Sequence, residues 1–115
     1  MTGLTTHVLD LTVGRPAPGV AVRVFAGQPG AWSQTGEART DADGRAGLLP
    51  GDQIRAAAYR LEFEVGPHFR ATGASSSKPG FLEIVAIEFT VTDPGAHHHV
   101  PLLVTPFAYS TYRGS

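Results

Sequence analysis

The residues of this chain best suited to moving protons are its five histidines, His7, His68, His97, His98 and His99. An imidazole with an ordinary pKa of about 6.5 changes charge close to neutral pH. Three of the five are consecutive. Metal ligation is the other chemistry such a cluster could do, because His97 and His99, two apart in an extended segment, would share one face at a real ligand spacing. A catalytic zinc needs a third ligand, which His7, Asp93 or Glu83 could supply only by an accident of the fold, so we expect no metal. Cysteine is absent, which excludes thiolate chemistry and disulfides. Arg45, beside Asp41 and Asp43, reads by itself as a surface ion pair worth about 0–1 kcal/mol. His68 belongs to no motif and reads as a surface residue.

The elements that position these groups are short and extended. Fourteen glycines and nine prolines are spread along 115 residues rather than gathered into a linker, and between them lie runs rich in Val, Thr and Phe. We expect one domain, residues 1–115. Hydrophobic residues make up 42% and charged residues 17%, which excludes a disordered chain. A net charge of −1 argues against nucleic acid as a partner, and no apolar run approaches the roughly 20 residues of a membrane helix. The start MTGLTTHVLDL lacks the basic and apolar regions of a secretion signal, and the final Tyr-Arg-Gly-Ser is no peroxisomal signal. A cytoplasmic location is the expectation.

About eight strands are expected: residues 4–10, 20–25, a weaker 32–40, 45–49, 59–65, 82–92, 97–104 and 107–113. Residues 14–19 are turn-rich, and Asp43-Gly44 is a strong turn signal because glycine suits positive φ. Short helices are expected at 52–58 and 67–77, the second opening with a proline in its first turn. The class is all-β, a two-sheet sandwich of about eight strands with one short helix to count on. Alternation then sorts the histidines. Residues two apart share a strand face, and His98, Val100, Leu102 and Val104 form the more apolar set. His97 and His99 therefore point away from the core. Leu4, Thr6 and Val8 likewise make the inner face of the first strand, which turns His7 outward with Thr5 and Leu9.

Three stretches carry a resemblance over the whole chain. Leu4-Thr5-Thr6-His7-Val8-Leu9-Asp10 with Gly14-Arg15-Pro16-Ala17 resembles the opening of the transthyretin superfamily, and Thr40-Asp41-Ala42-Asp43-Gly44-Arg45 resembles its second signature. The end, His97-His98-His99-Val100-Pro101-Leu102-Leu103-Val104-Thr105-Pro106-Phe107 closing in Tyr112-Arg113-Gly114-Ser115, resembles the 5-hydroxyisourate hydrolases of that superfamily. The hormone carriers share the fold but lack the tetrapeptide and these histidines. One departure concerns His98, whose position is often aromatic in the family. It faces inward and should leave the chemistry alone. The family's catalytic histidine precedes Val-Pro-Leu-Leu, which is His99 here.

The resemblance implies a transthyretin-like fold and metal-independent hydrolysis of a cyclic amide. Water opens the six-membered ring of 5-hydroxyisourate to give 2-oxo-4-hydroxy-4-carboxy-5-ureidoimidazoline, a step of urate degradation within purine metabolism. His7, Arg45 and His99 are the catalytic set it implies, with Tyr112 and Ser115 closing the pocket and contacting substrate together with His7 and Arg45; His97, on the same face as His99, is a further candidate for lining the site. No cofactor is implied. The alternative is a non-catalytic transthyretin-like carrier of small ligands, which would line the outer face with apolar, Lys or Glu groups. Imidazoles left in bulk water would make a poor hydrolase. We therefore expect the same face of another copy to roof the site across a two-fold axis. That agrees with a family of tetramers, and puts His7, His99 and Tyr112 at a dimer–dimer interface of a homotetramer. Residues 82–92 or 107–113 would pair edge to edge within each dimer.

Overall fold

A computed structural model describes residues 3–115. In chain order the strands are β1 (Gly3–Asp10), β2 (Arg15–Pro16), β3 (Ala21–Gly27), β4 (Ser33–Arg39), β5 (Arg45–Pro50), β6 (Ala57–Glu64), β7 (Ile84–Val91), β8 (His97–Val104) and β9 (Tyr109–Thr111), with one α-helix, α1 (Val65–Thr72). They form two sheets. In one, β1 lies between β8, to which it runs parallel, and β5, to which it runs antiparallel; β2 extends beside β1 and β9 beside β8. The other is the antiparallel order β4-β3-β6-β7. This is a transthyretin-like sandwich.

Period-2 alternation decides what lies between the sheets. Leu4, Thr6 and Val8 of β1, Val100, Leu102 and Val104 of β8, and Tyr59, Leu61 and Phe63 of β6 are all buried. His97 and His99 point away from that core and His98 into it, where its Nδ1–H donates to the Ala96 carbonyl at 2.9 Å. Pro101 is the exception: it has the parity of the outer face yet is buried, because the C-terminal segment lies across it, with Thr111 donating to its carbonyl at 2.7 Å.

Three expectations need correction. Residues 52–58 are not a helix. A single 3-10 turn, Gly51–Gln53, leads into β6, whose pairing with both β3 and β7 outweighs the helical preference of Ala56 to Ala58. The helix itself starts at Val65, two residues before Pro67, and ends at Gly73, whose left-handed φ of 82° caps it. Finally, His68 is no surface residue. Its Nε2–H donates at 2.8 Å to the carboxylate of Asp10, which is 1% exposed. That bond ties α1 to the end of β1.

Candidate active site

The site grows from the strand register. His7 of β1 lies opposite Arg45 of β5, and Thr5 lies opposite His99 of β8. Because Thr5 and His7 share a face, the two pairs stand side by side on the outer surface of the sheet. Thr5, Arg45, His97, His99 and Ser115 line a groove of about 710 Å³, whose wall is continued by Arg39 and Asp41.

The turn before β5 holds one end. The Asp41 carboxylate accepts from the backbone N–H of Asp43 at 2.8 Å and of Arg45 at 3.0 Å. Those two bonds, ahead of the charges of Arg45 and His7, hold its pKa below the usual carboxylate value. Gly44 has a φ of +74°, and a Cβ there would stand 2.5 Å from the Val8 carbonyl oxygen, so only glycine lets the turn close on β1. The turn in turn presents the Asp43 carbonyl, to which His7 Nε2 is 2.9 Å away. A carbonyl only accepts, so Nε2 carries the hydrogen and Nδ1 of a neutral His7 keeps its lone pair. The Arg45 guanidinium has no hydrogen bond or ion pair to any described residue, so its donors are free for a ligand.

His99 is half-buried, and burial is the main reason its pKa lies below the usual histidine value; the positive charge of Arg45 and the neighbouring His97 and His7 push the same way. Its ring is seated by the tail. Gly114 N–H donates to the His99 carbonyl at 2.8 Å, and a Cβ on Gly114 would fall 2.5 Å from His99 Cδ2. The glycine of the terminal tetrapeptide is thus the space the imidazole occupies.

The structure brings Arg45, His99, His97 and Ser115 to one groove and sets His7 beside it. It does not bring Tyr112 there. That residue is 60% exposed and lines a second cleft of about 210 Å³ with His98, Phe89 and Arg113, which shares only His99 with the groove. Of the residues named above as third metal ligands, Glu83 is held by Arg70 and Asp93 by the Gly95 turn. Among the described residues no three His, Cys, Asp or Glu side chains converge. Sequence reasoning missed Thr5, Gly114, Arg39 and Asp41 as parts of the site. Parity places Thr5 outward, but only the parallel β1–β8 register puts it against His99.

With this geometry in hand, comparison with known proteins becomes specific. The model of the HIUase/Transthyretin family matches residues 4–114. The chain belongs to that family. Over its full length it is 53% identical to the 5-hydroxyisourate hydrolase of Caulobacter vibrioides, all of which is covered. The solved Klebsiella pneumoniae 5-hydroxyisourate hydrolase superposes with a TM-score of 0.80 at 32% identity, covering 99% of this chain and all of that one. A solved (S)-allantoin synthase gives a TM-score of 0.87 at 35% identity over 99% of this chain; the chain spans only 44% of that protein's length.

Proposed function

We propose that this chain is a 5-hydroxyisourate hydrolase, a single-domain enzyme of urate breakdown that works without metal or cofactor. The single observation that carries the reading is the groove in which Arg45, with no side-chain partner among the described residues, and a His99 of lowered pKa face the same space, beside His7. Full-length likeness to hydrolases of that name supports it. Opening a cyclic amide needs a base to take a proton from water as its oxygen adds to the carbonyl. It also needs donors for the oxyanion that forms, and a proton for the ring nitrogen as the C–N bond breaks. The free fork of Arg45 fits a planar, carbonyl-rich anion. Histidine suits the proton work, and both β1 and β8 bring it to the site. Carbon-13 NMR of labelled urate treated with urate oxidase tests the reaction. With this protein, the ring-opened carboxylate of 2-oxo-4-hydroxy-4-carboxy-5-ureidoimidazoline should accumulate at once; a different first product would overturn the assignment.

The groove is open on one side, and the active form in this reading is a homotetramer in which a second copy covers it. Free sheet edges and exposed aromatics support the pairing. β7 and β9 are edge strands, one in each sheet, and next to them Phe81 and Phe107, 75% and 69% exposed, lie with ring centroids 5.9 Å apart and planes tilted by 41°. Tyr112 and Ser115 would complete the pocket at the dimer–dimer interface. Light scattering should give four chains, and a fully active monomer would exclude the roofed site. No helix among the described residues is long and apolar enough to cross a membrane, and we place the enzyme in the cytoplasm. Activity should survive prolonged chelation; loss with EDTA and recovery with zinc would refute a metal-free mechanism.

A further inference from the structure

The hydrolysis needs histidines in different roles, and the hydrogen bonds around Thr5 separate them. Thr5 Oγ1 lies 3.2 Å from His97 Nε2 and 2.8 Å from His99 Nδ1. A hydroxyl has one hydrogen, so it donates to one of these nitrogens and accepts from the other. His97 decides which. Its remaining nitrogen, Nδ1, is buried and has no partner among the described residues. A buried N–H without an acceptor is rarer in folded proteins than an under-used acceptor, so the His97 hydrogen sits on Nε2 and is given to Thr5. The hydroxyl hydrogen is then left for His99 Nδ1, at the shorter distance. Neutral His99 must therefore carry its own hydrogen on Nε2, which donates to no described residue, and the residue lines the groove.

On the basis of the hydrolase reading, we propose that Thr5 is a positioning residue that locks His99 in its Nε2–H tautomer, so that His99 serves as a neutral hydrogen-bond donor and His7 as the base. His7 Nε2–H is already committed to the Asp43 carbonyl, which leaves Nδ1 as the acceptor. The atoms balance in that arrangement. Water's oxygen bonds to the ring carbonyl carbon while one of its protons passes to His7 Nδ1. The carbonyl oxygen becomes an oxyanion held by Arg45 and the His99 Nε2–H. As the tetrahedral centre collapses, the C–N bond breaks and the imidazolium of His7 returns its proton to the leaving nitrogen. His99 stays neutral throughout, in keeping with the burial and positive neighbours that disfavour its protonation.

The test is long-range proton–nitrogen NMR of the histidine rings in the assembled protein, combined with kinetics of Thr5→Val and Thr5→Ser. In the unaltered protein at a pH where His99 is neutral, its hydrogen should be found on Nε2. Thr5→Val should let the second tautomer appear and lower kcat by about tenfold, roughly what one neutral hydrogen bond is worth as an equilibrium constant, with KM little changed. Thr5→Ser should restore both readouts. A His99 hydrogen on Nδ1 in the unaltered protein would overturn the proposal whether or not Thr5→Val folds, as would a Thr5→Val enzyme of full kcat or a serine variant as slow as the valine one. The NMR needs no substrate. Failure of the hydrolase reading would instead show as an unaltered protein that does not turn over 5-hydroxyisourate.

Discussion

Gly114→Ala should disable the enzyme without unfolding it. The added Cβ would lie 2.5 Å from His99 Cδ2, 3.2 Å from its Cγ and 3.3 Å from Pro101 Cγ. Ordinary contact begins near 3.4 Å, so the imidazole and the tail must separate by about 0.9 Å. The tail is itself pinned by the Gly114 N–H to the His99 carbonyl, and the ring by Thr5, so the misfit falls on the relative placement of His99 and Ser115. Misplacing a reacting group by about 1 Å costs about a hundredfold in rate, or about 2.7 kcal/mol of transition-state stabilisation. The tail is mostly exposed, so thermal stability should change by no more than about 1 kcal/mol. The assay generates 5-hydroxyisourate with urate oxidase and reads kcat from its ultraviolet band, alongside a circular-dichroism melt. Gly80→Ala, whose Cβ would meet only ordinary contacts of 3.5 Å or more, is the control and should be fully active. A Gly114→Ala enzyme with unaltered kcat would refute the idea that the glycine is there to seat the imidazole.

Replacing the base His7 by Ala should lower kcat by about 10²–10⁴-fold, and replacing either oxyanion donor, Arg45 or His99, by about 10²–10³-fold, with the fold intact; a His99→Ala enzyme near full rate would move the role to His97 or His98. Because burial, with Arg45, His97 and His7 around it, holds the His99 pKa down, the neutral ring persists below the ordinary value of about 6.5. The acid limb of kcat/KM that His99 contributes should fall below that value, and a limb above it would contradict the site's electrostatics. The unfolded chain takes up that proton first, so stability should decline as pH falls through the ordinary histidine value towards the lower folded one. His68→Ala should cost about 1–3 kcal/mol at neutral pH by leaving the buried Asp10 carboxylate short of a donor. Burial raises the Asp10 pKa, but the bonds from Thr12 and His68 outweigh it and the net shift is downward. That stabilisation is present above the unfolded carboxylate pKa and lost as pH falls through the folded one, so the variant's deficit should narrow in acid. Equal melting temperatures at neutral pH would show that the bond does not matter.

How much of this was legible from residues alone differs from element to element. Alternation in β1 and β8 placed His7, His97 and His99 outward because each strand has one clearly apolar parity, and burying that parity leaves no choice for the other. Asp41 to Gly44 announced their turn because Asx side chains and a positive-φ glycine are local signals. What depended on distant partners did not show. The Asp10–His68 pair joins residues 58 apart in sequence, and nothing near His68 hints at a buried carboxylate. Residues 52–58 looked helical locally but are drawn into a ladder by β3 and β7. The contact of Thr5 with two imidazoles needs the parallel β1–β8 register, which no short-range pattern encodes. Tyr112 sits outside the groove of its own chain, so the contact with substrate that the resemblance implies would have to come from another copy.

The most direct measurement of the central claim is the decay of the 5-hydroxyisourate ultraviolet band, formed in place from urate by urate oxidase, with and without this protein. The account predicts that catalytic amounts of the protein collapse the band far faster than spontaneous hydrolysis, and that the same amount of His99→Ala does so more slowly by about a hundredfold or more. A band whose decay is the same with and without the unaltered protein would contradict it.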